Sequence, residues 1–180
     1  MARVPLPGAR VWLRILGYAI AALCGVLLQV LLFPLLAVAG IVPDLLVVLT
    51  LWIALREGQV AGTVAGFASG LLLDVVMQGQ LGLHAFAKTL AGFVGGFFAH
   101  LDDPEWLRAL QLWRLSGIFA VGIVVHNLAY FALFVHPLDV PPLLFVLKYT
   151  GAATGYTLLL AVLLLLGWRL WERRGLTSAR

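Results

Sequence analysis

Residues 43–96 read PDLLVVLTLWIALREGQVAGTVAGFASGLLLDVVMQGQLGLHAFAKTLAGFVGG. This stretch divides into three apolar segments, separated by an Arg-Glu-Gly hinge and by a Gln/Gly turn at 78–80. Asp74 ends the second segment and Lys88 lies inside the third. Because only 11% of the chain is charged, an acid and a base within apolar segments need a specific role.

The composition of the whole chain is that of an integral membrane protein. It has 180 residues, of which 63% are hydrophobic, and a mean hydropathy of +1.05. A soluble domain of this length could not keep so much apolar surface away from water. The single cysteine, Cys24, excludes an intramolecular disulfide framework and a site of several thiolates. The net charge of +4 comes with arginines that flank apolar segments, a pattern that argues against nucleic acid as a partner.

Hydropathy predicts an all-α polytopic protein whose residues 1–180 form a single domain of six transmembrane helices. A spanning helix needs roughly 20 apolar residues. An N-terminal signal peptide is the alternative for the first segment, but its apolar run continues to Phe33, which is too long for a signal core. The segments are about 13–33, 43–56, 59–77, 83–100, 115–135 and 143–168.

Basic residues predict that both termini are cytoplasmic. The three connections on the opposite side, 34–42, 78–82 and 136–142, contain no Lys or Arg. Cytoplasmic loops of membrane proteins are enriched in these residues. With six spans, every arginine falls on the cytoplasmic side: Arg3, Arg10, Arg14, Arg56, Arg108, Arg114, Arg169, Arg173, Arg174 and Arg180.

The longest cytoplasmic connection predicts a short interfacial helix near 104–113. Asp103 and Pro104 suit the cap and the first position of a helix. Trp106, Leu107 and Trp113 then lie on one apolar face. A docking helix for a cytoplasmic partner is the alternative.

Small residues recur every four positions on two of the segments. Gly62, Gly66 and Gly70 precede Asp74, and Gly92 and Gly96 follow Lys88; a further ridge of small residues in the first segment consists of Gly17, Ala21 and Gly25. Such ridges let helix backbones approach closely in lipid, either within the bundle or against a partner's helix. The short turn makes the two segments antiparallel neighbours, which predicts an ion pair between Asp74 and Lys88.

The remaining polar residues predict structural roles. Asp44 follows Pro43 and suits the cap of the second helix. His126, Asn127 and Tyr130 in the fifth segment are predicted to hydrogen-bond to neighbouring helices. No pattern indicates a catalytic constellation, a metal site or a cofactor site. The sequence therefore predicts a protein that is not an enzyme.

Three motifs in order carry a resemblance to a known family. PDLLVVLTLWIALREG, GTVAGFASGLLLD and QGQLGLHAFAKTLAGFVGG together resemble MreD, the small integral membrane protein of the bacterial rod-shape system. The resemblance covers most of the chain and is strongest over 43–98. It implies a fold similar to the substrate-binding S components of energy-coupling-factor vitamin transporters.

The resemblance also implies a function. It predicts a non-enzymatic scaffold in the bacterial inner membrane that binds MreC. Together with MreB, RodA and a class B penicillin-binding transpeptidase, it would support peptidoglycan synthesis and cell shape. The alternative is a true S component for a vitamin-like solute, with Asp74, Lys88, His126 and Tyr130 lining its pocket. The oligomeric state is open, a homodimer included.

Overall fold

The computed structural model describes residues 8–103, 105–134 and 142–177, and these residues form seven α-helices and one 3-10 helix. The prediction of an all-α protein is confirmed. The helices are α1 (Ala9–Leu31), α2 (Leu45–Glu57), α3 (Gln59–Met77), α4 (Leu83–Gly96), α5 (Trp106–Ala109), α6 (Leu112–Leu133) and α7 (Pro142–Thr177), and the 3-10 helix is Phe33–Leu36.

Four of the described helices are long and apolar enough to cross a membrane. These stretches are Arg10–Leu31, Gln59–Met77, Leu112–Leu133 and Phe145–Trp171. The other two predicted spans are shorter, because α2 has 13 residues and α4 has 14. Roughly 20 residues are needed to cross the hydrocarbon core unaided, so six spans do not follow from helix length alone.

Helix α2 lies at the centre of the bundle and contacts α1, α3, α4, α6 and α7. Most of its side chains are buried, including Leu46, Leu51 and Leu55. It ends at Glu57, and the next residue, Gly58, has a φ of 90°, which is open to glycine but costly for other residues. The Gly58 N–H donates to the carbonyl of Ala54, and α3 begins at the next residue.

Helices α3 and α4 form the closest pair in the structure. The turn between them uses two left-handed residues, Gln78 at φ 50° and Gly82 at φ 92°. The helices run antiparallel across this turn, as predicted. Helix α4 ends at Gly96, four residues before the predicted end of its segment.

The connection before α6 differs from the single helix predicted near 104–113. Only the four residues of α5 are helical, Leu110 is extended with ψ 136°, and α6 already begins at Leu112. Arg169 of α7 donates a hydrogen bond to the Leu110 carbonyl, which the break leaves without a helical partner. Leu107 is buried in the core, so α5 packs against the bundle. The predicted first position, Pro104, lies outside the described residues.

The main core joins α2, α4, α5, α6 and α7. It is built from aliphatic residues around Phe119 of α6, with Leu115 and Ile123 one turn away on either side. Trp52 and Trp168 close it with an edge-to-face contact, 4.8 Å between ring centroids. A smaller cluster of Val26, Leu46 and Leu73 joins α1 to α2 and α3.

Candidate functional site

The most deeply buried charge in the described chain is Lys88, whose side chain is 0% exposed. Its Nζ lies 2.5 Å from Oδ2 of Asp44, at the start of α2. The other carboxylate oxygen of Asp44 accepts from the Val47 N–H at 3.0 Å, so Asp44 is the N-cap of α2, as predicted. The Asp44 N–H donates to Oγ1 of Thr157 on α7. One aspartate therefore joins α2, α4 and α7.

Helix α6 extends this network through His126 and Asn127. His126 Nε2 lies 3.4 Å from Lys88 Nζ and 3.6 Å from Asp44 Oδ2. His126 Nδ1 and Asn127 Oδ1 are 3.2 Å apart, and the Asn127 amide donates to Oγ1 of Thr154 at 3.1 Å. These bonds confirm the predicted interhelical hydrogen bonding for His126 and Asn127.

Asp74 performs a different task at the end of α3. Its carboxylate accepts from the backbone N–H groups of Gly82 (2.9 Å), His84 (3.1 Å) and Ala85 (3.2 Å). These N–H groups belong to the first turn of α4 and have no partner within that helix. The His84 ring adds a contact of 2.7 Å between Nδ1 and Asp74 Oδ1. A carboxylate at a helix N-terminus is also favoured by the helix dipole.

The predicted ion pair between Asp74 and Lys88 is therefore wrong. The two residues do lie on neighbouring antiparallel helices, but Asp74 is fully engaged by the free N–H groups at the start of α4. Lys88 instead pairs with Asp44 of α2. The short turn fixes only the pairing of α3 with α4, whereas α2 packs against both helices and supplies the partner of Lys88. No local pattern links Asp44 to Lys88, because they are 44 residues apart.

Tyr130 of α6 bridges the two polar groups. Its ring centroid lies 4.7 Å from that of His84 and 6.2 Å from that of His126. Asp44, Asp74, His84, Lys88 and His126 thus form one continuous cluster with Tyr130, which we call the polar cluster. The structure brings together every residue of the pocket predicted for the S-component alternative and adds Asp44 and His84.

The glycines of α3 and α4 are used inside the bundle. A Cβ added to Gly92 would lie 2.2 Å from the Gly62 carbonyl oxygen, and one added to Gly66 would lie 2.3 Å from that of Lys88. Gly70 and Gly96 face the backbones of Ala85 and Gln59 at similarly short distances. Of the two roles predicted for these ridges, the structure therefore assigns packing between α3 and α4. They are not available to a partner.

The small residues of α1 are divided between two environments. Gly25 faces Leu46 of α2, with only 2.9 Å between its virtual Cβ and Cδ2. Gly17 and Ala21 are exposed, and a Cβ on Gly17 would meet no atom within 4 Å. Large apolar side chains such as Leu13 and Ile20 share this exposure. Helix α1 therefore leaves a wide apolar surface uncovered in the described chain.

Helix α1 is attached to the bundle by polar contacts near each end. Toward its C-terminus, Gln29 donates to the Pro43 carbonyl at 2.9 Å and accepts from the Leu45 N–H at 2.8 Å. Toward its N-terminus, Arg14 and the Tyr18 hydroxyl both donate to the Glu57 carboxylate, each at 3.0 Å. Sequence reasoning did not identify either attachment, although a glutamine inside an apolar segment was a usable signal.

The polar cluster has the character of a structural network. The carboxylates of Asp44 and Asp74 and the Lys88 ammonium bond to groups within the bundle. Among the described residues, no group of three or more His, Cys, Asp or Glu side chains is arranged to hold a metal ion. The arrangement can hold five helices in register, namely α2, α3, α4, α6 and α7.

Comparison with known proteins identifies the family. No curated protein and no solved structure matches the chain, so similarity to the S-component fold stays a prediction. The family model described as rod shape-determining protein MreD matches residues 9–146, well over half of the 180 residues. The match includes all three motifs and the whole polar cluster. The chain belongs to the MreD family of rod shape-determining proteins.

Proposed function

We propose that this protein is a non-enzymatic scaffold that binds MreC in the bacterial inner membrane. Membership of the family carries the role in rod shape determination. The proposal adds support of peptidoglycan synthesis during elongation, together with MreB, RodA and a class B penicillin-binding transpeptidase. The observation that carries it is the contrast between a bundle locked by buried polar bonds and α1, whose outward face has no partner within the described chain.

Six membrane spans fit this proposal. Helices α2 and α4 are short, but α2 packs against α1, α3, α6 and α7, and α4 packs against α3 and α6. The carboxylate of Asp44 at the start of α2 is paired with the Lys88 ammonium. Six spans with both termini inside also agree with the bias of arginine toward cytoplasmic loops. In this orientation, the N-terminus of α1 and the end of α2 lie at the inner boundary.

The proposed contact for the membrane span of MreC is the outward face of α1. Small residues support helix association in lipid because they allow close backbone approach. The glycines of α3 and α4 are already occupied, whereas Gly17 and Ala21 are exposed. The proposed contact with MreC therefore lies on the first helix.

Affinity purification of the tagged protein in mild detergent tests this proposal. We expect MreC to co-purify with the wild type, and to be lost from Gly17→Leu and Ala21→Leu proteins that insert at normal levels. Gly151→Leu on α7 is a matched control, since Gly151 is exposed and its virtual Cβ also meets nothing within 4 Å. Retention of MreC by both α1 variants would refute the contact. A retained vitamin-like molecule together with ATPase subunits would refute the scaffold and favour the S component.

A further inference from the structure

An apolar groove of about 700 Å³ separates α1 from α2 and α3. Small residues on both sides leave this space open, Ala19 and Ala22 on α1 and Ala61 and Ala65 on α3. Besides Tyr18 at one end, two hydroxyls lie in its lining, those of Thr50 and Ser69, and both already bond within the bundle. Thr50 donates to the Leu46 carbonyl at 2.8 Å, and Ser69 lies 3.5 Å from Thr50. The lining therefore offers hydrocarbon contact.

The groove is closed at both ends and open along its side. At one end, Arg14 and Tyr18 both donate to the Glu57 carboxylate. At the other end, the cluster that contains Val26 brings α1 against α2 and α3. Between these closures, lining residues such as Ile15 and Val64 are exposed. An occupant must therefore enter from the surrounding membrane.

The length of the groove argues against a spanning helix as its occupant. The groove is lined over about 18 Å of α3, whereas a helix that crosses the hydrocarbon core needs about 30 Å. A partner's helix can cover the outward face of α1, but the groove is too short to hold a spanning helix.

The length of the groove matches one leaflet of the bilayer. Its α3 wall extends from Val60 to Leu72, which is about 18 Å along a helix axis. The hydrocarbon core is about 30 Å thick, so the chains of one leaflet cover about 15 Å. In the orientation proposed above, on which this step rests, the Arg14–Glu57 end lies at the inner headgroup level. The groove then runs from that level toward the middle of the membrane.

We propose that the groove is a binding site for one acyl chain of an inner-leaflet phospholipid. The chain lies between α1 and α3, and its ester and headgroup lie beside Arg14 and Tyr18. Because Arg14 is neutralised by Glu57, the site selects a lipid by its hydrocarbon chain rather than by the charge of its headgroup. The bound acyl chain fills the space between α1 and α3, which lies between the two polar attachments of α1 to the bundle.

Photocrosslinking with a phospholipid that carries a diazirine on its acyl chain tests this site. The full chain is reconstituted in nanodiscs of phosphatidylethanolamine and phosphatidylglycerol that contain the probe, and the labelled peptides are mapped. We expect labelling to concentrate in residues 11–22 and 60–72. Ala65→Leu and Ala22→Leu fill the groove from opposite walls and are each expected to lower this labelling about tenfold, the effect of losing roughly two methylene contacts. Ala152→Leu, at an exposed position of α7, serves as the matched control and should leave it unchanged.

Two variants on different helices keep the test valid if one of them fails to fold. Labelling spread evenly over all membrane-facing helices would mean ordinary contact with bulk lipid and would overturn the proposal. Labelling of 60–72 that neither leucine variant lowers would overturn it as well. So would the capture of a second polypeptide by a photoreactive residue at position 65.

Discussion

Removal of the Lys88 charge is expected to destabilise the protein strongly. At a separation of 2.5 Å, two unit charges in an effective dielectric of about 20 attract by roughly 7 kcal/mol before desolvation is counted. Breaking a buried pair by removing one partner typically costs about 3–5 kcal/mol, because the other charge stays buried. We expect this loss for Lys88→Met, which leaves the Asp44 carboxylate beside an apolar side chain.

A double-mutant cycle identifies the partner. Asp44→Asn keeps an oxygen that can cap Val47 but leaves Lys88 buried and unpaired, so it should destabilise by a similar amount. The double variant Asp44→Asn with Lys88→Met removes both charges and should regain most of the loss. Asp74→Asn combined with Lys88→Met is the matched control and should regain none, since Asp74 bonds to the first turn of α4.

Unfolding of the full chain in mild detergent, followed by tryptophan fluorescence against temperature and denaturant, measures these effects. The assignment of Asp44 as the buried partner of Lys88 fails if the unfolding free energy of Lys88→Met lies within about 1 kcal/mol of the wild type, the range of an exposed pair. It fails equally if the Asp74 combination regains stability and the Asp44 combination does not. The second result would restore the pairing predicted from sequence.

Three further predictions concern helix contacts. Gly92→Ala should destabilise by at least about 1–3 kcal/mol, because its Cβ would lie 2.2 Å from a backbone oxygen; Gly17→Ala, in open space, should be neutral or slightly stabilising in the same unfolding assay. Asp74→Asn should lower the unfolding free energy by about 1.5–3 kcal/mol, because the amide makes weaker bonds to the start of α4. Hydrogen exchange at residues 82–85 should then accelerate, and unchanged exchange there would contradict the contacts of Asp74 with these N–H groups. Glu57→Gln should change the unfolding free energy by less than about 1 kcal/mol, since Arg14 is largely exposed, and a larger loss would mean that this contact anchors α1.

Helix positions followed well from hydropathy because apolar runs and their glycine and proline boundaries are local features. The bounds of α3 were predicted as the structure has them, and the cap by Asp44 needed only the residues beside it. The interfacial helix was overextended because the break at Leu110 depends on Arg169, a residue of the last helix. A hydrogen bond between residues so far apart in sequence could not be predicted from composition or hydropathy.

The polar cluster was predicted only in part for the same reason. Asp74 and Lys88 were recognised as exceptional, yet their partners depend on which helix covers them. The glycine ridges of α3 and α4 were predicted either to pack against each other or to bind a partner. Only the three-dimensional structure shows that they pack against each other. A four-residue spacing identifies a surface suited to close approach but does not identify what approaches it.

The contacts of Asp44 constrain the order in which the protein can be assembled. Asp44 leaves the ribosome well before Lys88 and Thr157, which follow 44 and 113 positions later. Until α4 is synthesised, the Asp44 carboxylate at the start of α2 lacks its partner Lys88. Until α7 is synthesised, the Asp44 N–H lacks its acceptor, the Thr157 hydroxyl. The start of α2 therefore acquires two of its polar partners only from residues that are synthesised later. We expect a chain that ends before Lys88 to be degraded faster than the full chain, which a pulse-chase measurement in cells would show.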